Sequence, residues 1–215
     1  MKGRFLLLVV VALIAMTGSA SAQIDNWQFG GRILYVSAAT TSAELDDTGA
    51  RISLDSGPGL EFDATVKMSR LFSAEISLAA SAHSLTVEGT DCCGDLDGGR
   101  ALLVPLTILG QYHYPVYGKW DPYVGIGFTW AAPVYRITQA MSDAGIERLD
   151  LEGGGGLAAQ IGTNYQMDNR WYANVDLRYL GYSLEARART TEGDLQPVTL
   201  DTKPWVIGLG IGYRF

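Results

Sequence analysis

From Gln23 onward polar and apolar positions alternate with period two, and no stretch carries a stripe at the 3.6-residue spacing of a helix, so the pattern predicts an all-β chain. Eight runs stand out, at about 26–39, 58–68, 71–87, 101–115, 122–135, 156–168, 170–184 and 203–215. The connections between them alternate strictly in length: 69–70, 116–121 and 168–169 are short, whereas 40–57, 88–100, 136–155 and 185–202 are long. An antiparallel meander with short turns at one end and long loops at the other is the pattern of an eight-stranded transmembrane β-barrel of outer-membrane type, with short periplasmic turns and long extracellular loops.

The two faces of each run differ in kind. One face reads Phe29, Ile33, Tyr35 in the first run, Val124, Ile126, Phe128, Trp130 in the fifth and Trp205, Ile207, Leu209, Ile211 in the eighth, and no charged residue falls on it in any run. The alternate positions carry Arg32, Glu61, Asp63, Lys67, Glu75, Asp176, Arg178 and Arg214, with glycines at 125, 127, 208, 210 and 212. A soluble barrel would turn the apolar face inward. The aromatics argue the reverse: Trp27, Phe29, Phe72, Tyr112, Tyr123, Tyr165, Trp171, Tyr172 and Tyr213 gather toward the short-turn end, as an interfacial girdle does. The apolar stripes therefore face lipid and the charges face the lumen.

Composition narrows the field. A net charge of −7 excludes a nucleic-acid partner, because phosphate binding needs a basic surface. The longest apolar run, residues 5–16, follows Lys2 and Arg4 and closes with Ala20-Ser21-Ala22. Charged flank, short apolar centre and small-residue exit predict a cleaved signal peptide over 1–22, leaving 23–215 as one barrel domain.

The closing segment PWVIGLGIGYRF (204–215), the segment DPYVGIG (121–127) and the turn Asn169-Arg170-Trp171 resemble the outer membrane protein W (OmpW) family, through most of the chain and most strongly in its second half. The resemblance implies an outer-membrane location in a Gram-negative bacterium. It also implies insertion by the barrel-assembly machinery reading Tyr213 and Phe215, and passage of small hydrophobic molecules. Outer-membrane lipid and lipopolysaccharide are the expected surroundings, and no cofactor is expected.

Eight strands enclose a bore that side chains nearly fill, which excludes a wide porin-like channel. Four acids (Glu61, Asp63, Glu75, Asp176) and four bases (Arg32, Lys67, Arg178, Arg214) face it. Buried charges must pair, so a hydrogen-bonded plug and a conducting path are both open readings. A side exit would avoid a plug. Pro105 and Pro133 fall in adjacent runs joined by the turn at 116–121, with Pro105 opposite Ala131 and Pro133 opposite Leu103. Each removes a ladder donor, so a lateral opening is expected in that strand pair unless each proline merely ends its strand.

The long loops hold most of the acids, and the densest cluster, Asp91, Asp95 and Asp97, lacks the spacing of an EF-hand, so no metal site is expected. Cys92 and Cys93 are adjacent in that loop, in an oxidising compartment, and could form a disulfide with each other or with another chain. A lipid-modifying enzyme would need a base beside a hydroxyl. His83, Ser84 and Glu88 are the candidates, with His113 a second base, but neighbours in a strand point to opposite faces, so no enzymatic activity is expected. A barrel whose loops serve as a receptor, for phage or bacteriocins among others, is the remaining alternative.

Overall fold

The computed structural model describes residues 26–37, 43–45, 50–90, 94–135, 146–190, 193–194 and 198–215. The expected signal peptide, Asp91, and Cys92 and Cys93 with their expected disulfide lie outside the described residues. The strands are β1 (Trp27–Val36), β2 (Ala43–Leu45), β3 (Ala50–Leu54), β4 (Gly57–Lys67), β5 (Phe72–Thr90), β6 (Gly94–His113) and β7 (Trp120–Tyr135). They continue as β8 (Ile146–Glu152), β9 (Gly154–Gln166), β10 (Trp171–Leu180), β11 (Tyr182–Thr190), β12 (Gly193–Asp194), β13 (Val198–Thr202) and β14 (Trp205–Arg214).

Eight of these form the barrel. Antiparallel pairing runs β1–β4–β5–β6–β7–β9–β10–β14 and returns from β14 to β1, which leaves no open edge around the body. The short turns are built by side chains that replace backbone partners. Ser69 Oγ accepts from the N–H of Leu71 and Phe72, and Asp168 Oδ1 from those of Arg170 and Trp171 at 2.8 and 2.7 Å.

The stripes fall as the alternation requires. Phe62, Ile126 and Phe128 are 75, 70 and 69% exposed, while Arg32, Glu61, Glu75 and Arg178 are 2–5% exposed. The aromatic girdle pairs ring on ring at the short-turn end: Trp120 with Tyr165 at 4.8 Å, Trp171 with Tyr213 at 5.1 Å and Phe29 with Phe215 at 5.6 Å. Two expected girdle members are corrected. Tyr123 and Tyr172 are both 3% exposed and point into the lumen, where Tyr123 accepts from Asn174.

The glycine rows make room for lumen side chains. A Cβ on Gly208 would collide with Asp176 Oδ1, and one on Gly30 with the Asp63 carboxylate. One on Gly162 would lie 2.6 Å from the Tyr123 hydroxyl.

The expected long loops are shorter than their spacing implies, because backbone pairing continues into them. β5 and β6 extend the 88–100 connection into a hairpin, and 40–57 holds β2 and β3. On the other side of the mouth β8, β11 and β13 form a separate sheet, with β12 on β11. Their chains break from the barrel strands at Gly153, Gly181 and Lys203-Pro204.

Candidate functional site

The charges set into the bore form two layers. The upper layer, the waist, holds Arg32 from β1, Glu61 and Asp63 from β4, Glu75 from β5, and Asp176 and Arg178 from β10. Their side chains are at most 4% exposed. Arg32 donates Nη1 to Glu61 at 2.6 Å, Nη2 to Glu75 at 2.9 Å and Nε to Asn174 at 2.8 Å. Arg178 reaches across the bore, donating to both oxygens of Glu61, and pairs with Asp176 at 2.6 Å. Charge-assisted bonds of this kind hold Arg32, Glu61, Glu75, Asp176 and Arg178 as one unit, and Asp63, whose oxygens have no hydrogen-bond partner among the described residues, joins it by its ion pair with Arg32 Nη2 at 3.4 Å. Gln111 and Gln160 complete it by donating to Glu75 at 2.9 Å and Asp176 at 2.6 Å.

Lys67 and Arg214 do not join this plug. They lie in a lower layer, 21 and 24% exposed, around Asp121 at 3.3 and 3.6 Å. The expected balance of four acids against four bases therefore separates into four carboxylates with two guanidinium groups at the waist, and Lys67 and Arg214 around one aspartate at the periplasmic mouth. Alternation reports which face a residue takes, not its depth, and depth divides these charges.

The lower layer contains an ordered Asp–His–Ser set. His113 Nδ1 lies 2.7 Å from Asp121 Oδ1 and Nε2 lies 2.8 Å from Ser73 Oγ, an arrangement that would suit nucleophile activation. Ser73 is 0% exposed, however, and the cavity that His113 lines holds about 10 Å³, room for at most one water. The space beside His113 is too small for a substrate. His83 and Ser84 point to opposite faces, the first buried and the second exposed. The His83 partner is Ser81, two residues away on the same face: His83 Nδ1–H donates to the Asp55 carbonyl at 2.8 Å, so Nε2 accepts from Ser81 Oγ at 2.8 Å. The Glu88 side chain lies outside the described residues.

Above the waist a cavity of about 20 Å³ is walled by Leu34, Val36, Ala79, Pro105, Leu180 and Val206, over Glu61 and Arg178. Among the described residues the spaces that adjoin the waist are narrow, some 20 Å³ above it and 10 Å³ below it.

The lateral opening expected between β6 and β7 is not there. That ladder runs unbroken from Ala101↔Tyr135 to His113↔Tyr123, through Leu103↔Pro133 and Pro105↔Ala131. Pro133 lies two residues past the last β7–β9 pair, Ala131↔Gly154, where β7 pairs with β6 alone and a proline forfeits no ladder bond. Pro105 acts on its other side. The β5–β6 ladder passes from Leu78↔Leu106 to Ser81↔Leu103 at constant register, leaving Ala79 and Ala80 without pairs against Val104 and Pro105. Ala79 lines the inner cavity, whereas Ala80 lines an outer apolar groove of about 630 Å³ with Pro58, Gly59, Leu60, Ala82 and Leu102. Leu34 borders both spaces.

Asp121, Gln111, Gln160 and Asn174 escape a reading based on charge within runs. Asp121 opens its strand from what reads as a turn, and the other three are neutral, though all sit in the inward phase of the alternation.

The OmpW family model matches residues 25–215. An uncharacterized outer-membrane protein of Sinorhizobium fredii is 27% identical, covering 93% of this chain and 84% of its own length. Outer membrane protein W of Vibrio cholerae is 23% identical over 96% of this chain and 98% of its own length. The crystal structure of the outer membrane protein OprG from Pseudomonas aeruginosa superposes with a TM-score of 0.79 over 89% of this chain and 96% of that one, at 21% identity. The protein is an outer-membrane β-barrel, and the chain belongs to the OmpW family.

Proposed function

We propose that this barrel passes small hydrophobic molecules from its upper lumen sideways into the membrane, through the seam between Ala79-Ala80 and Val104-Pro105, and that it does so without chemistry. The supporting observation is the place of the lapse in the ladder. It falls between a small cavity inside the wall, lined by apolar and polar side chains, and an apolar groove outside it, beside the charged waist. The wall there is thin, since Gly59, Ala79 and Ala80 carry little or no side chain. An apolar solute entering from outside meets a charged floor, which costs it desolvation of paired ions, and a lipid-like surface to one side. Passage in this direction follows from which contact is cheaper.

Assembly through recognition of Tyr213 and Phe215, and contact of the outer strands with lipopolysaccharide, belong to the same reading. The test is Pro105→Val, which restores a ladder donor. Uptake of a fluorescent apolar dye by cells carrying the inserted variant falls several-fold if the seam is the exit, and unchanged uptake overturns it. The cross-braced waist favours a second reading, a closed barrel whose loops act as a receptor. On that reading, deleting the 136–145 segment abolishes surface binding and leaves dye uptake at the level of cells lacking the barrel.

A further inference from the structure

We infer that the short turn at 168–171 is a headgroup site for a zwitterionic phospholipid whose phosphate is followed by a primary ammonium, and that it takes this lipid in preference to an anionic or a quaternary one.

The site is a groove of about 520 Å³ lined by Asp168, Asn169, Arg170, Trp171 and Tyr213. Arg170 turns to the barrel wall. Its Nη1 donates to the Tyr213 hydroxyl at 2.7 Å, with the guanidinium carbon 5.9 Å from the centre of that ring. The ring is itself fixed, edge-on to Trp171 at 5.1 Å and to Phe215 at 4.9 Å. Girdle Trp and Tyr residues sit at headgroup level, so a guanidinium anchored to Tyr213 is held at the height of the lipid phosphates. Among the described residues its other N–H groups meet no acceptor, and the planar guanidinium fork matches phosphate oxygens. The Tyr213 hydroxyl, accepting from Arg170, keeps its own proton to donate to the same phosphate.

Asp168 names the second half of the head. The turn at 68–72 has the same construction: Ser69 Oγ accepts from the N–H of Leu71 and Phe72, as Asp168 Oδ1 does from those of Arg170 and Trp171. The N–H groups of Met68 and Ser69 donate to the Phe72 carbonyl, as those of Met167 and Asp168 donate to that of Trp171. A serine closes one turn where an aspartate closes the other, so closure does not require the charge. Both turns carry an exposed arginine, Arg70 and Arg170, but only the second sets a carboxylate beside it. Asp168 Oδ2 accepts from none of the described residues. One fixed cation and one fixed anion in a single groove complement a head that carries both signs, with phosphate on Arg170 and Tyr213 and ammonium on Asp168. A glycerol head would leave the carboxylate facing a phosphate unopposed. A quaternary ammonium has the charge but no N–H to donate.

The tail has a track along the lipid face. Above Trp171↔Tyr213 the pairs Ala173↔Ile211 and Val175↔Leu209 continue outward on β10 and β14. Ile211, Leu209 and Val175 are exposed, and the small Ala173 lowers the surface between Trp171 and Val175, where an acyl chain can lie.

The native barrel is reconstituted in vesicles of equal parts phosphatidylethanolamine, phosphatidylglycerol and phosphatidylcholine with matched acyl chains. It is then extracted in mild detergent, and the lipids that stay bound are identified by native mass spectrometry. We expect phosphatidylethanolamine to be retained about threefold over each of the others, the size of effect that a partly exposed ion pair supplies. Asp168→Ser, which gives this turn the acceptor its counterpart uses, should bring the three lipids level, and Arg170→Gln should lower the retention of all three. The native barrel also reports without any variant. In phosphatidylcholine nanodiscs, added phosphatidylethanolamine should shift the carboxyl carbon resonance of Asp168, and added phosphatidylglycerol should not. Equal retention of the three lipids by the native barrel, retention led by phosphatidylglycerol, a preference that survives Asp168→Ser, or an Asp168 resonance that phosphatidylethanolamine does not move overturns the inference.

Discussion

Arg32 on β1 lies directly opposite Glu61 on β4, and Glu61 in turn accepts from Arg178 on β10, so one carboxylate ties together two guanidinium groups from strands that do not pair with each other. The barrel is cross-braced at the height of its charged waist.

Removing one brace should therefore cost more than removing a charge of the lower layer. Arg32→Met leaves four carboxylates facing Arg178 alone, and we expect a loss of about 3–5 kcal/mol, the range for breaking a buried pair. Arg214→Met removes a partly exposed group 3.6 Å from Asp121, and about 1 kcal/mol or less is expected. Urea titration of both variants in lipid vesicles measures the difference. Equal losses would mean that the two layers are one.

The glycines opposite the waist should be intolerant in proportion to what they face. Gly208→Ala drives a methyl into Asp176 and to 3.4 Å from the Arg32 stem, and a loss of about 1–3 kcal/mol is expected from overpacking. At Gly31 the nearest atoms to an added Cβ are 3.9 Å away, so Gly31→Ala should be neutral within experimental error. The same urea titration applies. A neutral Gly208→Ala would show that the waist has slack.

Lipid contact of the apolar stripe predicts a large asymmetry between the faces. Phe128 is 69% exposed in the middle of β7, opposite Ile108. Phe128→Arg should destabilise the inserted barrel by about 2–4 kcal/mol, as charges near the bilayer midplane do. Thr129→Ser, one residue along and facing the lumen, should cost far less. Folding yield into vesicles separates them, and a well-tolerated Phe128→Arg would place that face in water.

The exposed turn at Asp168 should carry a small acid-dependent contribution. Its carboxylate accepts from the N–H groups of Trp171 and Arg170, and these bonds hold its pKa below the ordinary aspartate value. A group lowered in the folded state stabilises it above the unfolded pKa and loses that contribution as pH falls through the folded one. Asp168→Asn should therefore flatten the acid limb of the stability profile. A carboxyl titration by NMR that places Asp168 at the value of an unstructured aspartate would refute the cause.

Period-two alternation was enough to assign faces, because a residue such as Phe62 meets lipid while its neighbour Glu61 meets the bore. The pairing of Pro105 with Ala131 was also readable, since a short turn lets register be counted outward with little error. Depth was not readable. Lys67 and Glu61 share a face and a strand and differ in depth by their separation along it, but which charges of the other strands stand at each level depends on the stagger between strands. Nor could the sequence say on which side Pro105 breaks its ladder, because that depends on whether its missing N–H points toward β5 or β7. The neutral members of the waist, Gln111 and Gln160, carry no signal of charge and are found only by phase.

The seam can be closed without touching the proline. Ala80 and Val104 are the outward-facing residues of the two unpaired positions, at a register that would place them opposite each other. In a Cys92→Ser, Cys93→Ser background, Ala80→Cys with Val104→Cys should cross-link under mild oxidation, since directly opposed strand positions fall within disulfide reach. The oxidised barrel should then take up an apolar dye several-fold more slowly, and reductant should restore the rate. Because the protein compared before and after reduction is the same inserted population, misfolding cannot produce the difference. An oxidised barrel with undiminished uptake would place the exit elsewhere in the wall.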